Sequence, residues 1–196
     1  MIALGITSAL LLLILAPLYI RQCFQGTVRP HPVSWAVWAT IGTIGAITTG
    51  LAGAGPASLV LIVAAALEVT TFIVSLRGWE DKFSIVELLP LGPAAVGIVI
   101  WLTSSSLLAA SVGVVVADIC GLYPTLAKVW EHPRSEPALL WLAGAVAFAL
   151  GCAAVRTADA TTLLYPCYLA TSNVIVAVIA IGRGWRVAPA ANAEIL

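Results

Sequence analysis

Apolar residues run along this chain in long blocks separated by short polar breaks. Seven blocks stand out, at residues 2–24, 33–54, 56–76, 84–103, 106–129, 137–155 and 161–181. Each is close to the ~20 apolar residues that carry an α-helix across the hydrocarbon core of a bilayer. The breaks carry turn chemistry: Arg29-Pro30-His31-Pro32 after the first block, Ala54-Gly55-Pro56 after the second, Arg77 to Lys82 after the third. Ser104-Ser105, His132 to Pro137 and Thr157 to Ala160 follow the next three. A membrane β-barrel would show alternating segments of only ~10 residues, so the pattern predicts helices. The first block could pass for a signal peptide. It lacks a basic leading region, however, and Ile2 to Leu18 outruns the about 7–15 apolar residues of such a segment, so a retained span is expected.

Composition names the solvent. Apolar residues make up 61% of the 196, charged residues 9%, and mean hydropathy is +1.07. A soluble domain carries about 25% charged residues, so most of this surface must face lipid. Net charge is zero and no basic stripe occurs, which excludes a nucleic-acid partner. With seven spans, Arg21, Arg29, Arg77, Lys82, Lys128, Arg134, Arg183 and Arg186 fall on one side, and Arg156 alone on the other. That bias predicts a multi-pass protein of the cell (inner) membrane, N-terminus outside and C-terminus cytoplasmic. Trp79, Trp130 and Trp185 fall at the cytoplasmic ends, where an interfacial aromatic belt belongs. Of the four cysteines, Cys152 and Cys167 sit nearer the outer face, where a bridge is conceivable; otherwise the cysteines read as small packing residues.

An internal repeat organises the blocks. Arg77-Gly78-Trp79 recurs as Arg183-Gly184-Trp185, an offset of 106 that also pairs Trp35 with Trp141 and Gly45 with Gly151. In the first block the offset is 107, pairing Pro17 with Pro124 and Arg21 with Lys128. The predicted fold is therefore an all-α integral membrane protein of seven transmembrane helices arranged 3+1+3. Residues 1–82 form the first three-helix repeat, 83–105 a linker helix, 106–187 the second repeat and 188–196 a cytoplasmic tail. An odd number of spans per repeat turns the next copy over, and the linker crossing restores it, so the two repeats run parallel.

The segment Gly121-Leu-Tyr-Pro124-Thr-Leu-Ala-Lys128, continuing to Ser135-Glu136-Pro137 and Trp141, resembles the helix end, loop and second helix of a PQ-loop repeat. The first half repeats the pattern as Pro17-Leu-Tyr-Ile-Arg21 and Arg29-Pro-His-Pro-Val-Ser34-Trp35. That superfamily includes the SWEET and SemiSWEET sugar transporters and the cystinosin-like proteins, and the resemblance extends over nearly the whole chain. Leu18 and Thr125 follow the two prolines where the family signature has glutamine. The resemblance implies transport by alternating access, with Pro17 and Pro124 as hinges, Asn173 as a substrate ligand, and Trp35, Trp38 and Trp141 as pocket walls.

The residues themselves offer further chemistry. Glu68 and Asp118 lie near the middle of apolar blocks, where an ionised carboxylate costs about 2.5–3.5 kcal/mol. Each must face a cavity, find a partner or hold a proton, so each is a candidate for substrate or proton binding, against the plainer role of an interhelical hydrogen bond. Tyr165, Tyr168 and Ser172 share one helical face beside Asn173, and the offset sets Asn173 against Leu67, one residue from Glu68. Pro17 and Pro124 free the carbonyls of Leu13 and Cys120, as hinges or as static kinks. Glu80, Asp81, Glu131 and Glu136 share the cytoplasmic side with the basic residues and read as solvated pairs; Glu87 reads as snorkelling to that surface. His31 and His132 read as loop residues.

No catalytic motif, metal set or cofactor fingerprint appears, so neither an enzyme nor a cofactor is expected. The reading is a transporter of a small sugar or amino-acid-like solute, with proton coupling or simple facilitation both open. Its expected partners are that solute and the bilayer, in a homo-oligomer or a larger membrane complex. The rival is a non-transporting accessory subunit, favoured by small residues such as Gly42, Gly45, Gly50 and Gly53 that permit close helix approach.

Overall fold

A computed structural model of the chain describes residues 1–78, 85–89 and 91–184, and every regular element among them is helical. Helix α1 spans Ile2–Phe24, α2 Pro32–Leu51, α3 Ser58–Ser75 and α4 Ile85–Leu88. Then come α5 (Leu91–Thr103), α6 (Leu107–Glu131), α7 (Ala138–Ala153) and α8 (Ala160–Gly184). Local chemistry sets the ends. Pro32 opens α2, where its missing N–H costs nothing, and Ser106 caps α6 by accepting the Ala109 N–H at 3.3 Å. Gly53 and Gly55 turn the chain from α2 to α3 at φ of 87° and 62°, a region that favours glycine.

The helices fall where the apolar blocks do, with one correction. Block 84–103 is not one helix but two, α4 of 4 residues and α5 of 13. Leu89 precedes Pro90, and the residue before a proline is pushed out of the helical region. At about 1.5 Å per residue, α5 is about 20 Å long, short of a ~30 Å hydrocarbon core.

Among the described residues, four helical segments are long and apolar enough to cross a membrane: α1, Gly55–Ser75 (α3 with the turn before it), α6 and α8. Helix α7 is apolar but shorter, at 16 residues. Outward faces carry Leu13 and Ile14 on α1, Ile62 and Ile73 on α3, Ile119 on α6 and Val178 on α8, all exposed. Apolar surface of that extent is unstable in water and at home in lipid, so this is a membrane-embedded helical protein.

Helix α1 packs along α3 and α7, α2 along α3 and α6, and α8 along α6 and α7, while α5 lies on α6. Ile41, Val60, Leu61, Val114 and Val176 fill the centre. Where α5 crosses α6, Gly97 and Gly113 face each other so closely that a Cβ on either would strike the other's carbonyl oxygen. Polar side chains also join the helices: Ser8 Oγ donates to the Ala147 carbonyl at 2.6 Å, tying α1 to α7. The Thr125 hydroxyl donates to Ser34 Oγ at 3.2 Å, joining α6 to α2.

The C-terminal ends of α1, α3, α6 and α8 gather with the N-terminal ends of α2 and α7. There the Arg77 guanidinium lies over the Phe24 ring at 5.6 Å and Arg183 over the Trp130 ring at 4.3 Å. Lys128 Nζ donates to the Arg29 carbonyl at 2.7 Å. At the opposite end the Arg156 N–H donates to the Ala54 carbonyl at 3.3 Å, beside a small cluster of Ala54, Ala57, Ala154 and Val155. Trp79, Glu80, Asp81, Lys82, Trp185, Arg186 and the tail 188–196 lie outside the described residues, as does the side chain of Glu87. Cys152 and Cys167 are free thiols with Sγ atoms 3.1 Å apart, between α7 and α8.

Candidate functional site

A cavity lies at the centre of the bundle, and residues from α1, α2, α3, α6, α7 and α8 line it. Glu68, Asp118, Asn173, Trp35, Trp38 and Trp141, all candidates on sequence grounds, meet there. Its aromatic wall is continuous. The Tyr19 and Trp35 rings are 5.4 Å apart, Trp35 and Trp38 stand edge to face at 5.1 Å, and Trp38 and Trp141 are 6.1 Å apart. Aromatic pairs at such spacings and tilts attract each other and hold the wall stiff.

Asp118 is buried and accepts from three side chains. Trp38 Nε1 and the Tyr168 hydroxyl each donate to Oδ1 at 3.0 Å, and the Tyr165 hydroxyl donates to Oδ2 at 3.4 Å. A buried carboxylate needs such partners, and these come from two other helices, α2 and α8. Tyr165 reaches Asp118 past Gly45 of α2, where a Cβ would overlap the ring. Tyr168 touches Asp118 and is not among the residues lining the cavity.

Glu68 has no such shell. Its Oε2 is buried and finds no hydrogen-bond partner among the described residues. The carboxylate rests against Gly42, where a Cβ would overlap it. Asn173 sits similarly on α8, with Oδ1 against Gly144 of α7, while its Nδ2 donates to the Leu169 carbonyl at 2.9 Å. Ser172 donates to the same carbonyl at 3.1 Å.

Glu136 departs from the expectation of a solvated pair. It is 4% exposed, and its carboxylate accepts from two aromatic residues of the cavity wall. The Tyr19 hydroxyl donates to Oε2 at 3.1 Å and Trp141 Nε1 to the same atom at 3.0 Å, while Lys128 Nζ reaches Oε1 at 2.5 Å. Both ring donors belong to residues that line the cavity. The pair is thus a buried, hydrogen-bonded node rather than a screened surface contact. The cause is geometric: Pro133 to Ser135 form a 3-10 turn that carries the chain back over the end of α6. His31 lies in the loop before α2, as its N-cap, and is buried there.

Pro17 and Pro124 both lie inside unbroken helices, α1 and α6. A third interior proline, Pro166 in α8, is buried. Compared with known proteins, the chain matches no protein-family model, no curated protein and no solved structure.

Proposed function

We propose that this chain is a small-solute transporter working by alternating access between two three-helix repeats, residues 1–82 and 106–187, linked by 83–105. The observation that carries the proposal is the central cavity, which gathers Glu68, Asp118, Asn173, Trp35 and Trp141 from five helices. A largely apolar pocket with a few convergent polar groups is how proteins hold small polar ligands.

The packing supports a duplicated origin. Exchanging α1 with α6, α2 with α7 and α3 with α8 maps the neighbours onto themselves: α1–α3 becomes α6–α8, α2–α3 becomes α7–α8, and α1–α7 becomes α6–α2. The cavity then lies on the seam between two like halves, where rocking of one against the other would open it to either face. The gathering of Arg21, Arg29, Arg77, Lys128, Arg134 and Arg183 at one end, with Arg156 at the other, supports seven crossings and an N-terminus outside the cell membrane. The PQ-loop and SWEET-like resemblance adds to the same reading.

The experiment is uptake into proteoliposomes of a panel of sugars, amino acids and amines, with and without an imposed pH gradient. Uptake of at least one solute is expected, faster with the gradient and reduced in Asp118→Asn. Uptake of none would remove transport, and indifference to the gradient would remove proton coupling. The rival reading, an accessory subunit, draws on small residues for partner contact, yet Gly42 and Gly45 close on this chain's own Glu68 and Tyr165. Constant copurification with a larger assembly in mild detergent would restore it.

A further inference from the structure

The chemistry of the cavity restricts what it can hold. Among the described residues its lining carries two carboxylates, Glu68 and Asp118, and no lysine, arginine or histidine. Several donors near it are already engaged. Trp38 gives its N–H to Asp118, Trp141 and Tyr19 donate to Glu136, and Ser172 and Asn173 both donate to the Leu169 carbonyl. Among the described residues the buried Oε2 of Glu68, an acceptor, has no hydrogen-bond partner. The rest of the wall is aromatic and aliphatic, with Trp35, Trp38, Trp141 and Phe148 presenting ring surface.

A sugar would bring a ring of hydroxyls into a pocket with few groups to pair them, and each buried unpaired hydroxyl is costly. An amino acid would bring a carboxylate beside two others with no basic side chain to receive it. A compact cation meets neither obstacle. Aromatic faces attract it through their quadrupoles, and a bare carboxylate oxygen supplies the counter-charge. We infer that the cavity binds a small organic cation, an amine or quaternary ammonium without a carboxylate, seated between Glu68 and the tryptophan wall. This inference rests on the transporter reading and narrows its substrate class.

The test is binding to the purified full chain in detergent, read by intrinsic tryptophan fluorescence, since three of the described tryptophans line the site. Choline is the probe, and 3,3-dimethylbutan-1-ol its uncharged isostere. Choline is expected to give a saturable change at a concentration at least about tenfold below that of the isostere. Glu68→Gln is expected to weaken choline at least about tenfold while leaving the alcohol unaffected. Equal response to choline and the alcohol in the wild type would overturn the inference, and that comparison does not depend on any variant folding. Choline binding unchanged in Glu68→Gln would overturn it too. Proteoliposome uptake separates this failure from that of the transporter reading. Choline that binds without being carried would sink transport and keep the cation site, whereas uptake of a neutral sugar unaffected by choline would keep transport and sink the cation.

Discussion

At Glu136 one carboxylate holds together side chains from three helical elements, and its removal tests how far the node supports the fold. Glu136→Ala would leave Lys128 Nζ, with 17% of its side chain exposed, without its anion, and would strip Tyr19 and Trp141 of their acceptor. Removing one member of a buried pair costs about 3–5 kcal/mol. A clearly lowered melting temperature in detergent is expected, partly restored in Glu136→Ala/Lys128→Met. Melting at the wild-type temperature would mean that the node contributes nothing. Gly45→Ala is the steric counterpart: its methyl overlaps the Tyr165 ring, and overpacking of this kind costs about 1–3 kcal/mol. The same melting measurement reads it, and an unshifted transition would show that Tyr165 has room to move. The sequence makes Glu68, Asp118 and Asn173 conspicuous, because a polar group within an apolar block stands out. It hides Glu136, which lies beside a polar break among other charges and looks like an ordinary loop residue. Nor does it reveal that Trp38 is the partner of Asp118, since the two are 80 positions apart and meet only through the α2–α6 contact.

Helix by helix, the boundaries were legible because apolar blocks here end at prolines, glycines and serines, each of which interrupts the helix by a known mechanism. Averaged hydropathy failed only at 84–103, where it is blind to the proline that ends α4. The interior prolines of α1 and α6 make a sharper prediction. Pro17→Ala and Pro124→Ala each restore one backbone hydrogen bond, worth about 1 kcal/mol, so melting temperature should hold or rise. If these positions bend during the cycle, uptake should slow by about tenfold in each. Unchanged uptake would make both prolines static kinks.

For the whole molecule, the two-halves reading predicts which ties matter. Cys152 and Cys167 lie within one half, their sulfurs 3.1 Å apart, so mild oxidation should bridge them, as loss of alkylation would show. A rigid half tolerates that bridge, and transport should continue. Ser34→Cys with Thr125→Cys places a bridge across the seam, where the two hydroxyls are 3.2 Å apart, and its formation should stop transport until reduced. Transport that survives the seam bridge would mean the halves do not move apart there. The gross outline, helices in lipid, could be read from the chain because lipid imposes a simple rule on composition. Which helix lies against which could not, because faces that are apolar all round carry no directional mark.

The two ends of the bundle are closed by unlike materials. Parting the end that holds Lys128 and Glu136 means rehydrating an ion pair and two ring donors together. Parting the other means releasing two hydrogen bonds, the Arg156 N–H to the Ala54 carbonyl and Ser8 Oγ to the Ala147 carbonyl, and a handful of methyl groups. If the chain works by the alternating access proposed above, the Arg156 mouth is expected to part more often than the Glu136 mouth, so that an empty molecule would rest as a cup facing that side and meet first the solute waiting there.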